Sequence, residues 1–439
     1  MDGIGTSSSL LTDSNPAMSR ASRRASSRPK CDRPVWKRIA AFNRGRRPEL
    51  VARKYRAMSR DPFVFFRGTA HLFWEDWASM GGEALDDAPL AWCCGDLHLE
   101  NFGSYRGDNG LAYFDLNDFD EAALAPATRD TARFLTSAWL AAESLGLSPA
   151  TLRELETGFL DGYAAALVTG KPRWIERSIA TGWIRDLLRS VECRTQQQLL
   201  NERTVVRGGH RQLRIDDKRT FKLSGAERRR VTQGIARFAA HQPDPGFYRV
   251  LDVVGRIAGT GSLGMPRYAV LVRGQGARDV RILDVKAARP SALAVHLKSS
   301  RADRRPSRTN EAERVIRIQR RLQAIPPALL SGLTVGSKPF VVRELQPVAD
   351  RLDLAAWDGR VGRFRRAVTT MGELTAWAQL RGASQGGADG VDALISFARS
   401  KPTRRRLLSF ARDYAKRARA DWEDFRQCLA LEARDTRAD

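Results

Sequence analysis

Apolar positions change period along the chain, and each change marks an element. From Pro48 to Trp77 they recur at helical spacing and pass into the aromatic run Phe63-Val64-Phe65-Phe66. Two short apolar runs, Pro89 to Trp92 and Ala112-Tyr113-Phe114, have the length and composition of buried strands. Gly107-Asp108-Asn109-Gly110 supplies a turn in front of the second. The stretch from Asp130 to Leu200 returns to helical period, with Pro149 at one helix start, and residues 203 to 290 are β-rich. Asn310, followed by Glu311 and Glu313, opens a helix to about residue 323; Ser337 to Leu345 reads as a strand running into an extended segment. Arg363 to Arg381 and Phe397 to Leu429 are again helical. The pattern predicts an α+β fold without internal repeats.

At 439 residues the chain is long enough for two lobes. The expected division is a Ser/Arg-rich disordered basic N-terminal tail over 1–45, a mainly helical part over 46–200, a β-rich lobe over 201–350, and C-terminal helices over 351–439 that complete the helical lobe. No apolar run is long enough to span a bilayer and the N-terminus lacks a hydrophobic signal core, so no membrane partner and a cytoplasmic location are expected. Cys31, Cys93, Cys94, Cys193 and Cys428 show no metal-binding spacing and are expected as free thiols. The net charge of +24 invites polyanion contact, most plausibly through the tail, but no nucleic-acid-binding motif accompanies it.

The chemistry concentrates at Gly95-Asp96-Leu97-His98-Leu99-Glu100-Asn101 and, sixteen residues later, at Asn117-Asp118-Phe119-Asp120-Glu121. Such residues are also common turn formers, because Asp and Asn bond their own backbone. Here, however, several carboxylates sit at the ends of buried strands. Phosphoryl transfer needs an acid/base group for the acceptor hydroxyl and oxygen donors for a divalent ion. Asp96 fits the first task, Asn101 and Asp118 the second, with Asp120 assisting. His98 is a second base or metal ligand by type, or a hydrogen-bonding buttress of the loop. Arg67 is placed equally well to meet phosphate oxygens or to form a buried ion pair.

These strings resemble the bacterial domain of unknown function 2252 family, beginning at Arg46-Arg47-Pro48 and strongest at Gly95 to Gly103 and Phe114 to Ala122, with Asp284-Val285-Lys286 and Val342-Arg343-Glu344-Leu345 as later landmarks. More distantly, Asp96, Asn101, Asp118, Asp120 and Asp130 are similar in order to the aminoglycoside phosphotransferase and choline kinase group of the protein-kinase-like superfamily. That likeness implies Asp96 as base, Asn101 and Asp118 as metal ligands, and Asp130 as an acid steadying the loop. Cys94 stands where that group commonly has histidine.

A kinase also needs a glycine-rich loop and a cation. Gly259-Thr260-Gly261-Ser262-Leu263-Gly264 is followed by Met265-Pro266 and a β-rich run, so it reads as strand–loop–strand rather than a dinucleotide-binding turn. Lys286 ends an apolar strand in a chain where only eleven of the 74 basic residues are lysines, and is the expected phosphate contact; Lys222 is second choice. Glu313 or Glu311 is the expected ion-pair partner of Lys286, and Glu344 to Gln346, including Leu345, the expected contact to the adenine edge. The catalytic loop precedes the glycine loop, the reverse of kinase order. The expectation is therefore a circularly permuted, kinase-like two-lobed fold using ATP and Mg2+ on an unidentified hydroxyl acceptor. A nucleotide-binding pseudokinase, a metal-dependent hydrolase and a polyanion-binding protein are the alternatives.

Overall fold

The computed structural model describes residues 33–276, 279–297 and 310–435. Four short helices come first: α1 (Pro34–Phe42), α2 (Pro48–Met58), α3 (Pro62–Gly68) and α4 (Ala70–Glu75). Strands β1 (Leu90–Cys93), β2 (Phe102–Arg106), β3 (Ala112–Leu116) and β4 (Ala123–Pro126) follow, then helices α5 (Thr128–Ala141), α6 (Pro149–Val168), α7 (Gly182–Glu192) and α8 (Gln196–Arg203). The β-rich middle holds β5 (Thr204–Arg207), β6 (His210–Leu213), β7 (Thr220–Phe221), helix α9 (Gly225–Ala239), β8 (Val250–Arg256), β9 (Arg267–Val272) and β10 (Arg281–Ala287). Helix α10 (Glu311–Leu322), β11 (Ser331–Val335) and β12 (Lys338–Glu344) complete it, and α11 (Val361–Gly382), α12 (Val391–Ala398) and α13 (Lys401–Asp435) end the chain.

One antiparallel sheet dominates, in the order β11-β12-β10-β9-β8-β7. Its central strand β9 is buried on both faces, which explains the unbroken Arg267-Tyr268-Ala269-Val270-Leu271-Val272 run. Tyr268, Val270, Leu283, Val285 and Val342 pack with Val231 and Ile235 of α9, while Ala269, Leu271 and Ile282 meet Leu200 and Leu213 of α8 and β6. Helix α10 starts where Asn310 accepts a hydrogen bond from the Glu313 amide, with two acids in its first turn and Arg320 and Arg321 in its last, both favourable to the helix dipole.

The two-stranded ladders β1–β4 and β2–β3 sit beside a helical core in which the early and late parts of the chain share one hydrophobic cluster. Phe134 of α5, Phe159 and Tyr163 of α6, Met371 and Leu374 of α11 and Tyr414 of α13 belong to it. At Gly162 and Gly372 the backbones of α6 and α11 approach so closely that a Cβ would lie 2.3 Å from the Thr369 carbonyl oxygen and 2.1 Å from that of Phe159, respectively.

Three sequence expectations need correction or restriction. Residues 1–32, most of the expected tail, lie outside the described residues, as does the basic loop over Ser299–Arg308. Residues 34–42 form α1 instead of tail: Pro34 stands in the first turn, and Val35 and Ile39 pack against Phe425 of α13. Arginine-rich composition hid this short apolar stripe. Cys93, Cys94 and Cys193 are free, but Cys428 is disulfide-bonded, because pairing follows proximity in the fold rather than spacing along the chain. No helix among the described residues is long and apolar enough to cross a membrane.

Asp115 on β3 offers a pH-dependent test of this packing. It is buried, receives 3.3 Å contact from the Arg381 guanidinium of α11, and burial nevertheless pushes its pKa up to about 6. Between about pH 4 and 6 the folded state therefore holds a proton that the unfolded chain releases, so stability from this group falls as pH rises through that window, by about 3 kcal/mol at ~1.36 kcal/mol per pKa unit. Asp115→Asn lacks that slope. Its melting temperature relative to wild type is expected to rise from pH 4 to pH 7; a constant difference would show that Asp115 is ionised throughout.

Candidate functional site

The Gly95–Asn101 segment is fixed from below. Strand β1 ends at Cys93, and Gly95 takes a φ of +78°, with the position of a Cβ only 2.0 Å from the Glu121 carbonyl oxygen. Only glycine allows the loop at 95–101 and the loop at 117–121 to close on each other. Asp130, in the first turn of α5, accepts hydrogen bonds from the Cys94 amide (2.8 Å) and the Gly95 amide (2.9 Å), and burial lifts its pKa to about 6. Asn101 joins the two loops: its Nδ2 donates to the Asp96 carbonyl oxygen at 2.9 Å and its Oδ1 accepts the Asp118 amide at 2.8 Å.

Asp96 is held by a residue that the motif does not contain. Arg133 of α5 donates from Nε (2.6 Å) and contacts from Nη2 (2.5 Å) the same Oδ1 of Asp96. Arg133 is itself fully buried, with Phe66 and Phe73 against its guanidinium at 4.1 and 5.1 Å. Burial raises the Asp96 pKa, against the opposing pull of Arg133. His98 is buried, and its Nδ1 accepts the Glu100 amide at 3.2 Å. Burial first, then the charges of Arg67, Arg133 and Arg351, push its pKa well down, so it stays neutral and buttresses the loop.

Asp118 and Asp120 project from the loop after β3 toward Lys286 on β10. The Lys286 ammonium lies 2.5 Å from Asp120 and 3.4 Å from Asp118, so residues 168 positions apart meet. Partial desolvation by the cavity wall works to raise Asp118, but Lys286, Arg343 and Arg267 bring it below the ordinary carboxylate range; Asp120, facing desolvation and the Asp118 charge, is raised. The carboxylates that meet Lys286 are thus these two, in place of Glu313 or Glu311. Glu313 is exposed and turns back to Asn310 at the start of α10, and Glu311 pairs with Arg314 at 2.6 Å. What α10 contributes instead is Arg314, whose guanidinium donates to the carbonyl oxygens of Ala122 (2.6 Å), Asp120 (2.7 Å) and Arg289 (2.9 Å). Glu121 is also engaged: Oε2 accepts the Ala292 amide, and burial pushes its pKa up to about 7.

The glycine loop joins β8 to β9, as the strand–loop–strand pattern requires. Gly259 and Gly261 line the cavity in front of Asp118 and Lys286, whereas Gly264 (φ +85°) faces the N-terminal helices, with a Cβ position 2.9 Å from that of Arg46. Arg46 donates to the carbonyl oxygens of Gly261 (2.6 Å) and Leu263 (3.1 Å), and buried Lys54 to that of Gly261 (3.2 Å), so α2 and the turn before it clamp the loop from outside. On the sheet, Asp284 gathers Arg267 (2.6 Å), Arg256 (2.5 Å) and Arg343 (3.5 Å) and lies well below the ordinary range, since their charge outweighs its burial.

These groups surround a cavity of about 460 Å³. Arg46, Arg67, Arg256, Arg267, Lys286, Arg289, Arg343 and Arg351 supply positive charge, and Asp96, Glu100, Asp118, Asp120 and Glu121 negative charge. Arg67 combines both of its expected roles, lining the cavity while pairing with Glu100 at 2.6 Å. A second cavity of about 210 Å³ shares Arg256 and Ala258 with the first and has Ala269, Ile282 and Leu345 in its wall. Of the expected adenine contacts, Leu345 lines this cavity, but its amide is bonded to Ile282, and the Glu344 carboxylate goes to Arg281 at 2.8 Å. Lys222 lines neither cavity.

Residues 46–428 match a protein family described as "Uncharacterized protein conserved in bacteria (DUF2252)". The chain belongs to this family. No curated protein and no solved structure shows significant similarity to it. For this DUF2252 protein the match takes in the cavity lining from Arg46 to Arg351, with Phe42 of α1 the lining residue outside it.

No group of three or more His, Cys, Asp and Glu side chains arranged for a metal occurs among the described residues. The oxygens that could hold a metal are those of Asp118, Asp120 and Asn101. That set fits Mg2+, which binds through one or two carboxylates and keeps waters or phosphate oxygens on its other positions. Asp118 is 55% exposed to the cavity, and the Asn101 oxygen retains a second lone pair beyond its bond to the Asp118 amide.

Arg133, Arg314 and the Asp284 cluster were not anticipated from sequence. A signal existed for the first: Arg129, Asp130 and Arg133 interrupt an otherwise small and apolar helix, where unpaired charge would be too costly to bury.

Proposed function

We propose that this DUF2252 protein is an ATP- and Mg2+-dependent phosphotransferase of kinase-like, circularly permuted architecture. The observation that carries the proposal is the meeting of Lys286 with Asp118 and Asp120 in one cavity that also contains Asp96 and the Gly259–Gly261 turn. A glycine loop between two strands, a lysine on the next strand and a helix after it occur here in the order that protein kinases use. Helices α11 and α13 follow that lobe in sequence yet pack on α6 and α5 beside the catalytic loop. Helices α1 and α13, at the two ends of the described chain, pack together, which is what a permuted connection requires.

In this scheme Asp118, Asn101 and Asp120 hold Mg2+, which when bound neutralises phosphate charge. Lys286, with Arg256 and Arg343 near it, contacts the nucleotide phosphates under the glycine turn. The smaller cavity, with its floor of Ala269, Ile282 and Leu345, takes the base. Asp96 accepts the proton of the acceptor hydroxyl as the acceptor oxygen bonds to the γ-phosphorus and the β–γ bridging bond breaks, releasing ADP. Arg133 acts through Asp96 as a positioning residue, fixing its carboxylate with paired bonds.

A metal-dependent hydrolase would use the same carboxylates without the glycine loop. Lys286→Ala separates the two: removal of a charge-assisted phosphate contact is expected to weaken ATP binding by about tenfold or more. Unchanged ATP binding together with unchanged phosphoesterase activity would favour the hydrolase. Stoichiometric ATP binding with no turnover on any acceptor would favour the pseudokinase.

A further inference from the structure

The cations of the main cavity fall into two groups. Lys286, Arg267 and Arg343 bear on Asp118. Arg67 and Arg351 gather instead at the catalytic loop, where their Nη1 atoms lie 2.6 and 3.1 Å from the same oxygen, Oε2 of Glu100. The charge of Arg67 reaches both Asp96 and His98, and that of Arg351 reaches His98, so this pair stands beside the proposed base rather than beside the metal loop.

Two guanidiniums converge on one carboxylate oxygen, while Asp96 and Asp61 act on Arg67 only through longer-range charge. Arg67 is held in place, 5.4 Å from the Phe63 ring centroid and 12% exposed, and its Nε has no hydrogen-bond partner among the described residues. Arg289, exposed on the same cavity wall, has no side-chain ion pair among them either. A cationic acceptor of aminoglycoside or choline type would meet like charge here. Two guanidinium forks converging on one oxygen match a dianion with several acceptor oxygens. A cavity of about 460 Å³ has the volume of a small-molecule site.

We propose that the acceptor is a small molecule carrying a phosphate group near the hydroxyl that is phosphorylated, its phosphate held by Arg67 and Arg351 where the Glu100 carboxylate now sits. The inference rests on the phosphotransferase reading of the same cavity. In it, Glu100 is the internal stand-in that the substrate phosphate displaces.

The test is calorimetric titration of inorganic phosphate into the full chain saturated with Mg2+ and a non-hydrolysable ATP analogue, so that the γ-phosphate position is already filled. Wild type is expected to bind one phosphate. Arg351→Gln, at a side chain 45% exposed, is expected to weaken phosphate binding about tenfold, the loss of one charge-assisted contact, with an unchanged melting temperature as the check on folding. Glu100→Gln is expected to tighten it, a direction that a merely structural role for Glu100 would not produce. Analogue affinity should stay the same in both variants. Absence of saturable phosphate binding to the loaded protein, or binding indifferent to both substitutions, would overturn the proposal. Failure of the analogue to bind at all would overturn the phosphotransferase reading on which it rests; phosphate binding to the free protein that still responded to Arg351→Gln would then show the anion site standing without it.

Discussion

Asp118→Asn is expected to abolish magnesium-dependent nucleotide binding and to lower kcat/KM by more than about 10²-fold, over ~2.7 kcal/mol of transition-state stabilisation. Asp118 is the carboxylate most open to the cavity and is kept ionised by Lys286, Arg343 and Arg267. Replacing it with a neutral isostere keeps the backbone turn, since the Asp118 amide is bonded to Asn101 independently of the side chain. The protein should therefore fold, and its melting temperature without ligand should change little. What should vanish is the upward shift on adding Mg2+ and ATP, because a ligand stabilises only through its affinity for the folded state. A full shift in the variant would remove Asp118 from the metal site.

Asp96→Asn is expected to leave that shift in place and to reduce kcat by about 10² to 10⁴, the range of general acid–base catalysis. The sign of the pH dependence follows from the site. Asp96 works as a base only when ionised, and burial raises its pKa against the pull of Arg133. The acid limb of the kcat profile should therefore lie above the ordinary aspartate range, with activity rising with pH to a plateau. Arg133→Met removes the favourable charge while roughly conserving volume, so it should move that limb to still higher pH. A purely structural Arg133 would lower stability and leave the limb where it was.

The sequence made parts of this site legible for a physical reason. Asp96, Asn101, Asp118 and Asp120 lie on two loops that one hairpin, β2–β3, returns to the same place, so a short stretch of chain contains the whole geometry. Lys286 was legible because a lysine ends an apolar strand. Its partner was not, since cap chemistry that signals the start of α10 also turns Glu313 back on Asn310, away from the cavity. The Asp284 cluster could not be read at all: Arg256, Arg267, Asp284 and Arg343 lie on four strands, and their adjacency is a matter of register between β8, β9, β10 and β12. Helix α1 was missed because Val35 and Ile39 form a short stripe at the end of a Ser/Arg-rich stretch, and the residues that bury it come from α2 to α4 and from α13, nearly four hundred residues later.

The clamp on the glycine loop was equally hidden. Arg46 and Lys54 both donate to the Gly261 carbonyl oxygen, and burial carries the Lys54 pKa well down. Helices at the start of the chain thus hold a loop more than two hundred residues away.

The most direct measurement is calorimetric titration of ATP into the wild-type chain with and without Mg2+. One-to-one binding that requires the metal is the predicted result, and it would place the carboxylates of the 117–121 loop and the glycine-loop lobe in a single nucleotide site. No binding under either condition would contradict it, leaving the Lys286–Asp118–Asp120 contact as an ion pair of the fold alone.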